Sequence, residues 1–404
     1  MKACGLIVEY NPFHNGHVYH LKNAKNVSNA DCMITVMSGS FLQRGEPAII
    51  DKFYRTKAAV TSGIDIVVEL PYAFAVQSSD LFARGSVLTL QALGVDSICF
   101  GSESGDITDF ISGYHLFNEQ AELFRETLTT QLQQGLSFPE ASKAAYQKIG
   151  LTTAGMDLTK PNNILGFSYV KAILENNLPI EPLTIKRSKS GYHDKTITSS
   201  IASATSIREQ LFADNKITPE IAAAIPEATK EQLNRYRHIA TSWHQWEDYF
   251  PLLHYRVMTM TEQELSAIQG VDEGLEYRLK KTAKHATSFE NWMEQLKTKR
   301  YTWTRLQRMF VHILTNTKKR DMTFVLEMAS MPYVRLLGLT KTGRQYLNSI
   351  KKQIEIPVIT KLSRNMHPLL HLEEKASAAY YSILPPALQM KLRSQELQPP
   401  IMDP

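Results

Sequence analysis

Unbroken apolar runs and helical stripes alternate through the first half of the chain. Ala3–Glu9, Asp31–Met37, Ile64–Glu69, Ser97–Phe100 and Pro182–Lys186 are short runs rich in Val, Ile, Cys and Phe. They do not alternate strictly with polar residues, as expected of parallel strands covered on both faces. Helical spacing lies between them at Gly16–Asn26, Lys52–Ser62, Ser79–Leu93 and Ser137–Lys148. This order predicts an α/β fold built on an open, doubly wound parallel sheet. From about Phe212 the spacing turns helical, through Thr218–Ala224, Thr229–Tyr236, Tyr249–Met260, Thr261–Ala267, Glu273–His285, Ser288–Leu296 and Thr302–Asn316. Beyond Pro332 a short strand, a helix Thr342–Ile354 and a strand Ile356–Ile359 predict a small α/β appendix, with Gln398–Pro404 frayed. Three units are therefore expected: a sheet domain over 1–212, a helical domain over 213–330 and the appendix over 331–404.

Composition narrows the class. A chain of 404 residues exceeds one typical core. With 43% hydrophobic and 21% charged residues it is ordinary for a globular protein. No apolar run approaches the ~20 residues of a membrane span, and Glu9 interrupts the first apolar stretch too early for a signal peptide. Cys4, Cys32 and Cys99 form no CxxC pair, which favours a reducing, cytoplasmic setting. The net charge of +5 hides an asymmetry: Lys299–Arg364 holds 14 Lys/Arg against Asp321, Glu327 and Glu355. A basic segment on a mildly acidic remainder points to a polyanionic partner, and nucleic acid is the expectation. Arg305, Arg308, Lys318, Lys319, Arg320, Lys341 and Arg344 are its candidate nucleic-acid contacts. Tyr301, Trp303, Tyr333 and Tyr346, interleaved with them, are candidates for stacking RNA bases, although such residues are more often core.

The first strand leads into the most informative string, Gly5-Leu-Ile-Val-Glu-Tyr-Asn-Pro-Phe-His-Asn-Gly-His17. Asn11-Pro12 breaks the strand, and His14-x-Gly16-His17 opens a helix. Histidines three apart share one face of its first turn. Free N–H groups and the positive end of the helix dipole favour a polyphosphate there. The imidazoles add donors for charge developing in a transition state, and Gly16 allows close approach of the backbone. An isolated HxxH is commonly incidental and sometimes a zinc half-site, but no third and fourth ligand stand at suitable spacing. After a strand and an Asn-Pro turn, the string resembles the HxGH signature of the nucleotidyltransferase superfamily, whose fold is Rossmann-like.

Further candidates lie at the ends of the other strands, where ligands sit in such sheets. Ser203-Ala-Thr205-Ser206-Ile207-Arg208 resembles the superfamily's second signature. Thr205, Ser206 and Arg208 could hold the outer phosphates. Lys186-Arg187-Ser188-Lys189-Ser190 has the K-x-S-K-S form of a phosphate loop, which adds Ser188 and Lys189, and Arg187 is placed for the nucleotide. Gly101 could let an adenine lie on bare backbone, and the amides of Asn162 and Asn163 could read a base or ribose edge. Ser38–Pro47 is the second crevice loop; Arg44 or Lys52 could receive a small carboxylate, or serve only to cap the loop.

The whole chain is similar to the bacterial tRNA(Met) cytidine acetate ligases. Gly5–His17, Ser38–Pro47, Val68–Pro71 with Gln77–Ala83, Lys160–Gly166, Ser203–Arg208 and Tyr301–Arg308 carry the likeness. The resemblance implies that ATP and acetate form acetyl-adenylate with release of pyrophosphate. The acetyl group then passes to N4 of the wobble cytidine of elongator tRNA(Met). It further implies an ATP site made of Ile7, Val8, Glu9, Tyr10, Asn11, Pro12, Phe13, His14, Asn15, Gly16, His17, Val18, Tyr19 and His20, with Gly101, Asn162 and Arg187. His14 and His17 would be the catalytic pair. Ala204 departs from the superfamily pattern but is small enough for the turn. No protein metal site is expected; Mg2+ would accompany ATP, held by phosphate oxygens and water. Two alternatives stay open: a nucleotidyltransferase acting on a small molecule, which leaves the basic half idle, and a non-catalytic RNA-binding factor, which would not need both histidines.

Overall fold

The computed structural model describes residues 1–153, 155–187, 202–363 and 367–402. Five parallel strands form its centre: β1 (Ala3–Val8), β2 (Cys32–Ser38), β3 (Ile66–Leu70), β4 (Ser97–Ser102) and β5 (Glu181–Lys186). Each lies within two residues of the expected position. The sheet order is β5-β4-β1-β2-β3, so the chain reverses its winding between β1 and β4. Ligands of such sheets sit in the crevice outside the strand ends at that switch point. The loop after β1, which carries His14, and the end of β4, which carries Gly101, flank it.

The helices Asn15–Ser28 and Lys52–Thr61 cover one face, and Ser79–Gln91 and Pro161–Glu175 cover the other. Burial on both sides explains the unbroken apolar runs: all seven residues of β2 and all five of β3 are buried. Two helices between β4 and β5, Ile107–Glu119 and Ala121–Gln133, have no counterpart among the expected elements. The second contains no buried residue, so it offers no inward stripe to read.

The expected appendix is not separate. Its first strand, β6 (Val334–Leu339), pairs antiparallel with β3 and extends the central sheet, while β7 (Val358–Ile359) and β8 (Ile401–Met402) both pair with β6. Ile401 and Met402 are thus held in the sheet rather than frayed. All six residues of β6 are buried, like those of the strand it joins. Buried ions close this junction. Lys52 Nζ lies 2.6 Å from Glu69 and 2.9 Å from Glu396, and Arg335 bridges the same two carboxylates. Glu373 joins them, its carboxyl held well above the usual range by burial and by the Glu69 charge.

The helical region, Pro219 to Glu327, packs beside the sheet, and together with the helix Pro368–Tyr381 it braces the segment that follows the second crevice loop. His244 N–H donates to the Ile49 carbonyl, Tyr380 to that of Ala48 and Tyr381 to the Asp51 carboxylate.

Candidate active site

Beyond β1 the chain passes through Tyr10 at φ +47 and a cis Asn11-Pro12 bond into the helix Asn15–Ser28. His14 is the N-cap. Its Nδ1 accepts the Gly16 N–H at 3.0 Å, while the His14 N–H donates to His17 Nδ1 at 3.2 Å. The two rings close a reciprocal capping box with imidazoles in place of the usual Ser and Glu. Each Nδ1 is an acceptor, so each neutral ring carries its proton on Nε2. Burial holds His14 down at about 3, reinforced by the charges of Arg187 and Arg208. His17 is lowered by burial and then by His14 and His20. The pair, with ring centroids 3.9 Å apart, therefore presents two N–H donors and no charge. Tyr10 and Phe13 pack against His17 and hold its plane. No acidic side chain occupies the first turn of this helix.

His20 is kept neutral at about 4 by burial and by Arg187. Its Nε2 and the Asn11 Nδ2 are buried polar atoms without hydrogen-bond partners among the described residues. Orphaned buried groups of this kind suit a polar ligand that supplies the missing partners.

Arg187 follows β5, its N–H donating to the Ser102 carbonyl, and its aliphatic stem covers Gly101. A Cβ on Gly101 would stand 3.3 Å from Arg187 Cγ, so the bare backbone leaves room for that stem. The Asn162 amide donates to Glu103 Oε1 at 2.6 Å, and Glu103 also accepts the Asn163 N–H. Asn163 Oδ1 returns two bonds to the Glu103 and Ser104 N–H groups. The Asn163 side chain is consequently spent on tying the β4 loop to the helix Pro161–Glu175. The Asn162 amide nitrogen is likewise committed to Glu103.

Arg208 reaches across from its own helix to donate to the Asn11 carbonyl at 3.0 Å and to Glu46 at 2.9 Å. Ser206 is buried and bonds within its own turn, to Ser203, which caps that helix; Thr205 is half-buried beside it. Ser188 and Lys189 lie outside the described residues.

Two expectations for the second loop divide. Lys52 is not a crevice cation: it is 1% exposed and committed to Glu69 and Glu396. Arg44 stays on the loop, close enough to Glu9 to lower that carboxyl's pKa against the larger effect of burial. Arg55 went unnoticed in the sequence because it falls within an amphipathic helix. Its buried guanidinium donates to four carbonyls, those of Glu9, Ser38, Gly39 and Ile50, and so clasps the ends of β1 and β2. Glu9 itself accepts the Gln43 N–H at 2.7 Å and links the nucleotide strand to the second loop.

The basic segment does not act as one patch. Arg305 and Arg308 stand on the helix Trp303–Leu314, whose backbone at Gln307 and Arg308 lies against Gly45 of the second loop. Lys319 pairs with Asp272, Lys318 caps its helix, and Arg320 is exposed beside Asp321. Lys341 and Arg344 are exposed at the start of a helix whose Thr340 cap donates to Asp65, at the N-terminal edge of β3. That is the edge of the sheet opposite the crevice. Tyr333 and Tyr346 are core residues, the latter donating to the carbonyls of Leu93 and Gly94.

Residues 1–396 match the family model described as HIGH Nucleotidyl Transferase. The chain belongs to that family. Within it, the chain is 56% identical over 402 residues to the tRNA(Met) cytidine acetate ligase of Oceanobacillus iheyensis, with all of both chains covered. It is 46% identical over 399 residues to the Bacillus subtilis protein of the same name, covering 98% of this chain and 96% of that one. Among solved structures it resembles Thermotoga maritima TmcAL at 32% identity and a TM-score of 0.89, over 100% of this chain and 99% of that one. A second form of the Thermotoga protein, bound with alpha-thio ATP, gives 0.88 over the same shares. Doubly wound sheet, switch-point crevice and paired histidines are thus features of a HIGH nucleotidyl transferase.

Proposed function

We infer that this HIGH nucleotidyl transferase is an ATP-dependent tRNA(Met) cytidine acetate ligase. The observation that carries the reading is the pair of neutral Nε2–H donors at the switch point, flanked by Arg187 and Arg208, in a chain similar end to end to ligases of that name. A carboxylate is a poor nucleophile, so the protein's task is to orient acetate in line with the α-phosphorus. An acetate oxygen bonds to phosphorus as the bond to pyrophosphate breaks, giving acetyl-adenylate. His14 and His17 donate to the phosphate oxygens as charge gathers there. Neutral rings suit this role: they supply donors without surrendering a proton to the leaving group. Arg208 stands ready for the outer phosphates and Arg187 for the nucleotide, with Asn11, His20, Gly101 and Asn162 lining the remainder. Mg2+ would arrive on ATP, held by phosphate oxygens and water. The described residues hold no cluster of three or more His, Cys, Asp or Glu suited to a metal ion. In the second step the exocyclic amine of the wobble cytidine attacks the acyl carbon and AMP leaves, with the amine's proton lost to solvent. No helix of the described residues is long and apolar enough to cross a membrane, in keeping with work on tRNA in the cytoplasm.

The test is transfer of radiolabelled acetate to bulk tRNA by the purified protein, with and without ATP. ATP-dependent label on a cytidine, absent with His17→Ala, is the expected result. Protein that binds ATP yet labels no RNA would refute the ligase reading in favour of a small-molecule nucleotidyltransferase.

A further inference from the structure

The helical region meets the crevice through backbone. Gly45, at φ +78, lies so close to the helix Trp303–Leu314 that a Cβ on it would fall 2.4 Å from the Arg308 nitrogen. At this junction Arg308 Nη1 and Gln43 Nε2 donate to one acceptor, the Gln77 carbonyl, at 3.1 and 2.9 Å. The Gln43 N–H in turn donates to Glu9 at the end of β1. An arginine of the helical region is therefore two residues removed from the nucleotide strand.

Positive charge gathers at the junction, where Arg44 faces Glu9. Arg308 is half-buried and makes no ion pair among the described residues. Burial, with the charges of Arg305 and Arg44, pushes it down to about 10. The nearby acids are engaged elsewhere: Glu46 with Arg208, and Glu273 with Arg300 at 2.7 Å and Arg305 at 4.0 Å. Like charges held close and only partly hydrated repel one another and favour an anion among them. Arg305 also lies over the Tyr301 ring, 4.9 Å from its centroid, and no acid stands in the first turn of this helix. Guanidinium forks match phosphate, and arginine beside aromatic rings suits a nucleotide splayed from its stack.

We propose that Arg44, Arg305 and Arg308 seat the RNA phosphate beside the acceptor nucleotide, and that the Gln77 junction holds this seat in register with the nucleotide crevice. The seat rests on the RNA-ligase reading above and names where the RNA backbone is gripped. It also separates the basic segment into a working part at the crevice and a remote part at Lys341 and Arg344.

The experiment compares Arg308→Gln, Arg308→Lys and the Lys341→Gln/Arg344→Gln double variant. Two quantities are read: tRNA affinity against salt concentration, and acetate-dependent ATP–pyrophosphate exchange without RNA. Arg308→Gln should weaken tRNA binding about tenfold and lower the salt slope by about one, with a smaller loss in exchange. Arg308→Lys should recover the slope, and the remote double variant should bind as the native protein does. Native affinity and slope in Arg308→Gln would overturn the seat. So would a raised KM for acetate with tRNA binding intact, which would assign the cluster to the small carboxylate. Equal loss of both functions in the Gln and Lys variants would make Arg308 a packing residue and likewise overturn it. Should the native protein bind tRNA without acetylating it, the ligase reading fails while these binding results still judge the seat.

Discussion

Replacing His14 by Asn separates the two things that side chain does. The Asn side-chain oxygen can still accept the Gly16 N–H as an N-cap, a role that Asn fills as well as any residue. Loss of the cap, otherwise about 1 kcal/mol, is thereby avoided. What disappears is the Nε2–H donor that the proposed mechanism directs at the phosphates. Removing one preorganised donor costs about 2.7–4 kcal/mol of transition-state stabilisation, so exchange of pyrophosphate into ATP should fall about 10²–10³-fold. Stability supplies an independent check. A histidine with a native pKa of about 3 and an unfolded value near 6.5 lends stability that is present above pH 6.5 and lost as pH falls toward 3. The loss from His14 is about 1 kcal/mol at pH 5.5 and about 3 kcal/mol at pH 4.5. His14→Asn lacks this term; His17, lowered in part by His14, is relieved in the variant and changes in the same direction, and the remaining titrating groups are common to both proteins. Urea unfolding at pH 7.5, 5.5 and 4.5 should therefore show the variant gaining on the native protein by at least those amounts. Parallel stability curves would mean that the native imidazole takes up a proton as readily as the unfolded one. Exchange within about threefold of native would remove His14 from the chemistry, since so small a change is under 1 kcal/mol.

Lys52→Met should destabilise the fold by about 3–5 kcal/mol in urea, because Glu69 and Glu396 lose their shared cation in a buried place. The KM for acetate of the enzyme that still folds should be unmoved, and a raised KM would return Lys52 to the crevice. Gly45→Ala combines a left-handed φ with a Cβ pressed on the Arg308 backbone and should cost about 1–3 kcal/mol. Displacing that junction should weaken tRNA binding, measured by filter retention, more than it slows exchange; the reverse order would uncouple Gly45 from the RNA side.

How far the chain could be read from its residues depended on the range of the interactions involved. Strands β1 to β5 were legible because a strand buried on both faces leaves an unbroken apolar run, a local signature. The histidine pair was legible because three-residue spacing and a strand–turn–helix context are local too. Arg208 was found through its motif, although its partners, Glu46 and the Asn11 carbonyl, come from elsewhere in the chain. Arg55 was missed for the opposite reason: a single cation in an amphipathic helix reads as a solvated position, and only the tertiary structure gathers four carbonyls around it. Charge density along the chain misled in a further way. Lys341 and Arg344 are close to Arg308 in sequence, but β6 runs antiparallel to its neighbour and delivers them to the far edge of the sheet.

That reversal also explains why the last quarter of the chain belongs with the first. β6 completes the sheet beside β3, and Glu373 and Glu396 then reach Lys52, Glu69 and Arg335 in a water-excluded space. Two cations face three carboxyls there, and keeping Glu373 protonated leaves the charges equal. A Cβ at Gly39 would lie 2.4 Å from Glu69 Oε1, so the second crevice loop rests directly on this cluster. From above, the same loop is held by Glu9 through Gln43 and by Arg208 through Glu46. Under the ligase reading proposed above, a loop so constrained would present a small carboxylate at one angle to the α-phosphorus, which is what an in-line reaction of a weak nucleophile demands. The C-terminal segment thus stiffens the floor of a crevice it does not line.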